Sequence, residues 1–264
     1  MFLDNLDYKG KEIPKTILGY GPFMAEPYFG HRSRLYQLDL YDNPQATADV
    51  IVEAYNCGVR AINLVNDSNL IKAYDLAVDM GCEMKIIGTV GKSDVDYLNP
   101  NYEVAKEVDW DEDIELFSTY DCPVMLVDEF IVDGYDWKLT SKILNAINSV
   151  GSLSGIVTAF PSKTTDMLAD NLDLDLFDFY MIPFNSISYM MDINAFNASQ
   201  RQEFVDRILS LNKKIIATRV LAAGILKPKE AFTFLSNVDY IDAISIGAAS
   251  ISEAKEDFNL LNEF

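Results

Sequence analysis

The chain has one histidine, His31, and three cysteines, Cys57, Cys82 and Cys122, with no Cys-x-x-Cys pair among them. A single imidazole cannot supply the two or three that a zinc site usually recruits, so a histidine-based metal centre is not expected. An odd number of thiols suits a reducing compartment better than a disulfide framework, and the expected location is cytoplasmic. Positive charge is scarce as well: 21 Lys and Arg stand against 41 Asp and Glu, a formal charge of −20. Such a surface repels phosphate backbones and anionic lipid, which argues against nucleic acid and membranes as partners. No apolar run approaches the ~18 residues a membrane span needs. Asp4 and Asp7 stand where a signal peptide would carry its apolar core.

What is present reads as a globular enzyme-sized chain. A hydrophobic share of 49% and a charged share of 23% over 264 residues are ordinary proportions. At this length α/β barrels close as one domain, so residues 1–264 are expected to form a single domain. Short apolar runs alternate with segments of helical periodicity, the pattern of a parallel sheet with crossover helices. The runs predict eight strands at Thr16–Gly21, Arg60–Val65, Lys85–Val90, Val124–Phe130, Gly155–Phe160, Phe177–Asn185, Lys213–Val220 and Ala243–Ala248. Several are apolar throughout, as strands covered on both faces should be. Helices are expected at Ala46–Cys57 and Asp67–Met80, each stopped by a glycine, and at Gln200–Leu211 behind Ser199 as N-cap. A fourth is expected at Ser252–Leu261, with a cap residue but no acidic return partner. Eight strand–helix pairs without a linker predict a (β/α)8 TIM barrel, its bottom plugged by an N-terminal β-hairpin around Lys9-Gly10.

Two long connections, Pro22–Gln45 and Gly91–Asp109, leave the carboxyl ends of the first and third strands, where barrel active sites sit. The first carries a small cationic patch, Phe29–Arg34, whose His31 and Arg32 suit a lid over an anionic ligand; its plain reading is a solvated loop. Arg219, at the end of the seventh strand, suits a clamp on carboxylate or phosphate, and otherwise a salt bridge between loops. Asp128 and Glu129, adjacent on a strand, should point to opposite faces, so one of them can act as a base in the pocket. Tyr20 and Phe160, at strand ends, are candidate walls. Gly247 and Ser250, at the start of the last helix, offer backbone amides to a phosphate.

Leu18-Gly19-Tyr20-Gly21 in the first strand and Gly58-Val59-Arg60-Ala61-Ile62-Asn63 in the second, with Pro183-Phe184-Asn185 in the sixth, form an ordered series. With Leu221-Ala222-Ala223-Gly224 after the seventh strand and Ile246-Gly247 in the eighth, it resembles the aldo/keto reductases along nearly the whole chain. The resemblance implies carbonyl reduction by a nicotinamide hydride with an Asp–Tyr–Lys–His tetrad at the barrel mouth. Here Asn63 stands at the Asp position, Ser68 at the Tyr, Thr89-Val90 at the Thr-Lys, and Asp128 and Glu129 near the His. Only Lys92 or a loop tyrosine folding into the gap would restore a proton donor, a group worth about 10²- to 10⁴-fold in rate.

The resemblance also implies NADP or NAD as cofactor, but its usual contacts are thin. Thr158-Ala159 stands where Ser-Asn holds the nicotinamide amide, and Thr218-Arg219 where an aromatic stacks on the ring. No cation follows the eighth strand before Lys255. Three readings follow. The barrel takes a small anionic ligand at its mouth, with Tyr20, His31, Arg32, Thr158, Asn185, Arg219, Gly247 and Ser250 binding and Asp128, Glu129, Asn63 and Lys92 as chemistry-bearing groups. Alternatively it is an NAD(P)H-dependent oxidoreductase with a relocated proton donor, or a non-catalytic scaffold or subunit.

Overall fold

Side-chain alternation along each strand sorts the apolar residues into two layers, and those layers define the architecture. In the computed structural model, which describes residues 2, 4–97, 99–193 and 198–264, the inner layer gathers Ile17, Ala61, Ile87, Val124, Leu126, Phe179, Met181, Ile216 and Ala243. Their strand neighbours Leu18, Ile62, Ile86, Met125, Tyr180, Ile215 and Ile244 point outward into a second, larger core beneath the helices. Successive residues of a strand face opposite sides, so a strand that feeds both cores must be apolar at every position.

The chain opens with β1 (Asn5–Tyr8) and β2 (Lys11–Pro14), an antiparallel hairpin. Its two-residue turn, Lys9-Gly10, has φ of 48° and 79°, the left-handed pair that lets a hairpin keep the strand twist. Eight parallel strands follow: β3 (Thr16–Leu18), β4 (Ala61–Val65), β5 (Lys85–Val90), β6 (Val124–Val127), β7 (Leu153–Val157), β8 (Phe179–Pro183), β9 (Lys214–Thr218) and β10 (Ala243–Ile246). They close as a barrel in the order β10-β3-β4-β5-β6-β7-β8-β9. This is the (β/α)8 barrel that the sequence predicts. Ile13, Leu6 and Tyr8 of the hairpin pack on the inner core, and Tyr8 meets Phe179 edge-on at 5.8 Å, so the hairpin seals the bottom.

The helices are α1 (His31–Tyr36), α2 (Pro44–Asn56), α3 (Ser68–Asp79), α4 (Tyr102–Ala105), α5 (Trp110–Phe117), α6 (Glu129–Val132), α7 (Trp137–Ser149), α8 (Pro161–Asn171), α9 (Ala198–Leu209), α10 (Pro228–Leu235) and α11 (Ile251–Leu261). Several boundaries differ from expectation. Helix α2 starts at Pro44 behind Asn43, whose side chain accepts the Ala46 amide. Helix α9 begins at Ala198, so Ser199 lies inside it rather than capping it. Ser250, not Ser252, caps α11 and accepts the Glu253 amide, while Glu253 accepts the Ala249 amide. The last helix therefore does have an acidic return partner.

The largest difference concerns the fourth barrel strand. It ends at Val127, and Asp128 caps a one-turn helix by accepting the Phe130 amide at 3.0 Å. Asp128 and Glu129 are thus not strand neighbours on opposite faces. Both long connections carry helical structure: Pro22–Gln45 contains a 3-10 turn at Pro27–Phe29, α1 and a π turn at Gln37–Tyr41, and Gly91–Asp109 contains α4. All three cysteines are free. Among the described residues no helix is long and apolar enough to cross a membrane.

Candidate functional site

The alternation that packs the barrel also sets the floor of its mouth. Counting by twos from the inner-core positions brings Asn63, Val157, Met181, Thr218 and Ser245 to the carboxyl ends of their strands, facing inward. These five line a cavity of about 380 Å³, a size that suits a small metabolite. Its walls come from the connections above: Tyr20 and Gly21 after β3, Tyr28, Phe29, Arg32 and Tyr36 from the first long connection, Tyr97 from the second, and Arg219 through Pro228 in part after β9. Gly247, Ala249 and three acidic residues of α11 complete it. Close approach matters at Gly247, where a Cβ would sit 2.6 Å from Pro22 Cδ.

Two buried ion pairs organise the inner end. Glu129 accepts both bonds from Arg219 Nη2, at 2.9 and 3.1 Å, and a third from the Tyr97 hydroxyl. The side chains of Arg219 and Glu129 are 5% and 9% exposed. Lys92 pairs with Glu26 at 3.0 Å. Burial alone would raise Glu129, but Arg219, Tyr97 and Lys92 outweigh it and hold the carboxyl below its ordinary value. Burial likewise would lower Lys92, yet Glu26, Asp128 and Glu129 hold it above the usual lysine range, so it is an ammonium and not a nucleophile. Asp128 has a different fate: burial, opposed by Lys92 and reinforced by Glu129, pushes it up to about 7.

The loop tyrosines do fold into the mouth. Tyr97 stacks edge-on against Tyr28 at 5.8 Å and Phe130 at 4.9 Å, and Lys92 Nζ lies 6.0 Å from the Tyr97 ring centre. Burial, with Glu129 and Glu26 adding, raises the Tyr97 phenol well above its usual range. Burial does the same for Tyr20 and Tyr28, again with Glu26 contributing.

Arg219 is the pivot. Its φ of 55° lies in the left-handed region, uncommon for a side chain of this size and a conformation that surrounding contacts must enforce. The guanidinium lies 5.1 Å over the Tyr28 ring. With Nη2 committed to Glu129, its Nη1 is buried without a hydrogen-bond acceptor among the described residues.

The sequence-derived candidates divide cleanly. Tyr20, Arg32, Asn63, Glu129, Arg219 and Gly247 line the cavity. Lys92, largely buried, and Asp128, fully buried, are not among its lining residues. Asn63 is fixed by bonds from its Nδ2 to the Ile87 carbonyl at 2.7 Å and Thr89 Oγ1 at 2.9 Å. Thr158 is not a wall: its hydroxyl donates to Asp133 and accepts the Phe160 amide. Asn185 ties its own loop, donating to the Tyr189 and Arg219 carbonyls and accepting the Tyr189 amide. His31 is exposed at the start of α1, away from the cavity lining. Phe160 caps α8 at 39% exposure and is no wall either. Ser250 holds the Glu253 amide, and Glu253 already occupies the Ala249 amide that a phosphate would use.

The sequence reading missed Glu26, Tyr28 and Tyr97, and the acidic face of α11. The loop residues carry no periodic signal. The spacing of Glu253, Glu256 and Asp257 was visible but reads as a solvated helix face.

No family model matches the chain, and no curated protein matches its sequence. Solved structures do match its fold. An aldo/keto reductase from Brucella melitensis superposes with a TM-score of 0.60 at 11% identity, covering 98% of this chain and 93% of its own. An aldo/keto reductase from Klebsiella pneumoniae, solved with NADP and acetate, gives 0.62 at 11% identity over 98% and 90%. At near-full coverage of both chains, the protein shares the barrel fold of the aldo/keto reductases.

Proposed function

We propose that the barrel mouth binds a small ligand presenting a carboxylate or phosphate, and that the four-residue proton-transfer set of the aldo/keto reductases is absent from it. The observation that carries this reading is Arg219: buried in the cavity wall, anchored through Nη2, and owed an acceptor at Nη1. A buried donor without a partner is costly, and a charge-assisted bond from a ligand acceptor removes that cost. The sequence resemblance supports this by aligning Asn63, Ser68, Val90 and the Asp128-Glu129 pair with the tetrad positions. Burial pushes Asp128 up to about 7, a range that suits proton exchange near neutrality.

The test is thermal stabilisation by inorganic phosphate and by short alkanoates, in the wild type and in Arg219→Gln. Saturable stabilisation that the substitution abolishes is the expected result. An equal shift in both proteins would sink the reading.

A reductase with a relocated proton donor has one observation in its favour, the approach of Lys92 to Tyr97, together with the likeness to a protein solved with NADP. Against it, the Tyr97 hydroxyl is held by Glu129 and its phenol is raised, which makes it a poor acid. Titration of NADPH and NADH by nicotinamide fluorescence decides between the two. A scaffold role would fit a mouth filled by its own side chains, and a cavity of about 380 Å³ argues against it.

A further inference from the structure

The cavity has a second, chemically opposite end. Helix α11 contributes Glu253, Glu256 and Asp257 to its wall, three carboxylates at i, i+3 and i+4 and so on one helix face. Glu253 is engaged by the fold through the Ala249 amide at 2.9 Å. Asp257 is not engaged. The residue is 6% exposed and faces the cavity, and among the described residues no hydrogen bond or ion pair reaches its carboxylate. Burial and the neighbouring Glu253 and Glu256 all push it toward its neutral form.

The nearby cations do not answer it. Arg32 directs Nη1 to the Ala223 carbonyl at 3.4 Å, and Lys227 is exposed on the rim. A largely buried carboxylate gains from a donor just as a buried guanidinium gains from an acceptor. Among the described residues, one cavity wall therefore carries both: Arg219, whose Nη1 lacks an acceptor, and Asp257, whose carboxylate has no bonded donor or cation and is reached only from the cavity.

We propose that the cavity takes a small amino-acid-like zwitterion, with its carboxylate on Arg219 and its protonated amine on Asp257, assisted by Glu256. The proposal rests on the anion-binding reading of the inner end and names the ligand class. A metal ion at the outer end is disfavoured, because among the described residues no three His, Cys, Asp or Glu side chains are grouped to hold one. A ligand of zero net charge also suits a protein of formal charge −20 better than a free anion does.

The test is calorimetric titration of the intact protein with butanoate, hexanoate and octanoate, each against its ω-amino counterpart, so that chain length samples the span between the two ends. The expected result is that at least one amino acid binds more tightly than its matched alkanoate, by on the order of tenfold, the worth of one charge-assisted hydrogen bond. Asp257→Asn should erase that preference and leave alkanoate affinity unchanged, while Arg219→Gln should weaken both series. Glu256→Gln, at an exposed position of the same face, serves as the second variant and should reduce the preference severalfold even where Asp257→Asn disturbs folding. Equal binding of every matched pair, or a preference that survives both α11 substitutions, overturns the proposal. Arg219-dependent alkanoate binding with no gain from the amine leaves the anion-binding reading standing and removes this one. No saturable binding in either series removes both.

Discussion

Removing one partner from the Arg219–Glu129 pair should cost far more stability than removing both. In the folded chain Glu129 collects Arg219 Nη2 at 2.9 and 3.1 Å and the Tyr97 hydroxyl, with both charged side chains at least nine-tenths buried. Glu129→Leu leaves a guanidinium with the Tyr28 ring face and the Tyr97 hydroxyl at 3.4 Å but without its paired carboxylate; Arg219→Met leaves a buried carboxylate with the Tyr97 hydroxyl but beside Glu26. Each single substitution should lower stability by roughly 3–5 kcal/mol, the cost of an uncompensated buried charge. In a chain of this size that is a fall in Tm of ~6–20 °C, at about 2–4 °C per kcal/mol. The double variant removes both charges, and replacing a buried pair by apolar side chains of similar volume is roughly neutral, so it should return to within about 1 kcal/mol of wild type. Urea denaturation of all four proteins at pH 7 gives the coupling directly. Single substitutions that shift Tm by less than about 2 °C, or a double variant as unstable as the sum of the singles, would refute the reasoning.

Two further outcomes follow from buried groups. Burial pushes Asp128 to about 7 and Asp133 to about 8, against an ordinary value of 3.8 for each. Between pH ~4 and ~8 the native state therefore holds protons that the unfolded chain has released, and stability rises as pH falls through that window. Glu129 acts oppositely: its carboxyl is held below the ordinary 4.5, so its contribution is present above that pH and is lost below it. Thermal melts should accordingly peak in mild acid, and a Tm that is flat or falling from pH 8.5 to 5.5 contradicts the assignment. Inside the barrel, a Cβ on Gly155 would lie 2.5 Å from Leu126 Cδ2 and 2.6 Å from the Phe179 carbonyl. Gly155→Ala should cost about 1–3 kcal/mol through overpacking, and an unchanged urea midpoint would mean the strands can part there.

How far the sequence speaks depends on which force sets each feature. The eight barrel strands were legible because a strand buried on both faces must be apolar at successive positions, and Ala61–Val65 or Val124–Val127 cannot satisfy that in any solvated helix. The extension to Phe130 failed because a short apolar run has no period that separates strand from helix. The better signal was Asp128 itself, a capping residue two positions before the amide it holds. Misplacing the cap of α11 by two residues hid its Ser250–Glu253 box, which was readable as Ser-x-x-Glu. A loop tyrosine at the mouth was foreseeable, but not that Tyr28 and Tyr97 would be the ones to reach it. Their approach to Arg219 depends on how two long connections fold over the mouth, and no local pattern encodes that.

The two ion pairs need a reason beyond stability, since desolvating Lys92, Glu26, Arg219 and Glu129 is costly and an apolar mouth would be at least as stable. What they supply is position. Arg219 sits on a left-handed backbone, with its Nη2 fixed by Glu129 and its face covered by Tyr28, so its remaining donor has one direction and little freedom to lose when a ligand arrives. They also set the charge. The two cations are cancelled by two carboxylates, and burial pushes the Asp128 carboxyl up to about 7, toward its neutral form. The mouth thus offers a directed donor without a surplus of positive charge, in a chain whose overall charge is −20. An anion recognised there gains hydrogen bonds but little long-range attraction. A ligand carrying its own compensating cation toward the carboxylates of α11 gains both.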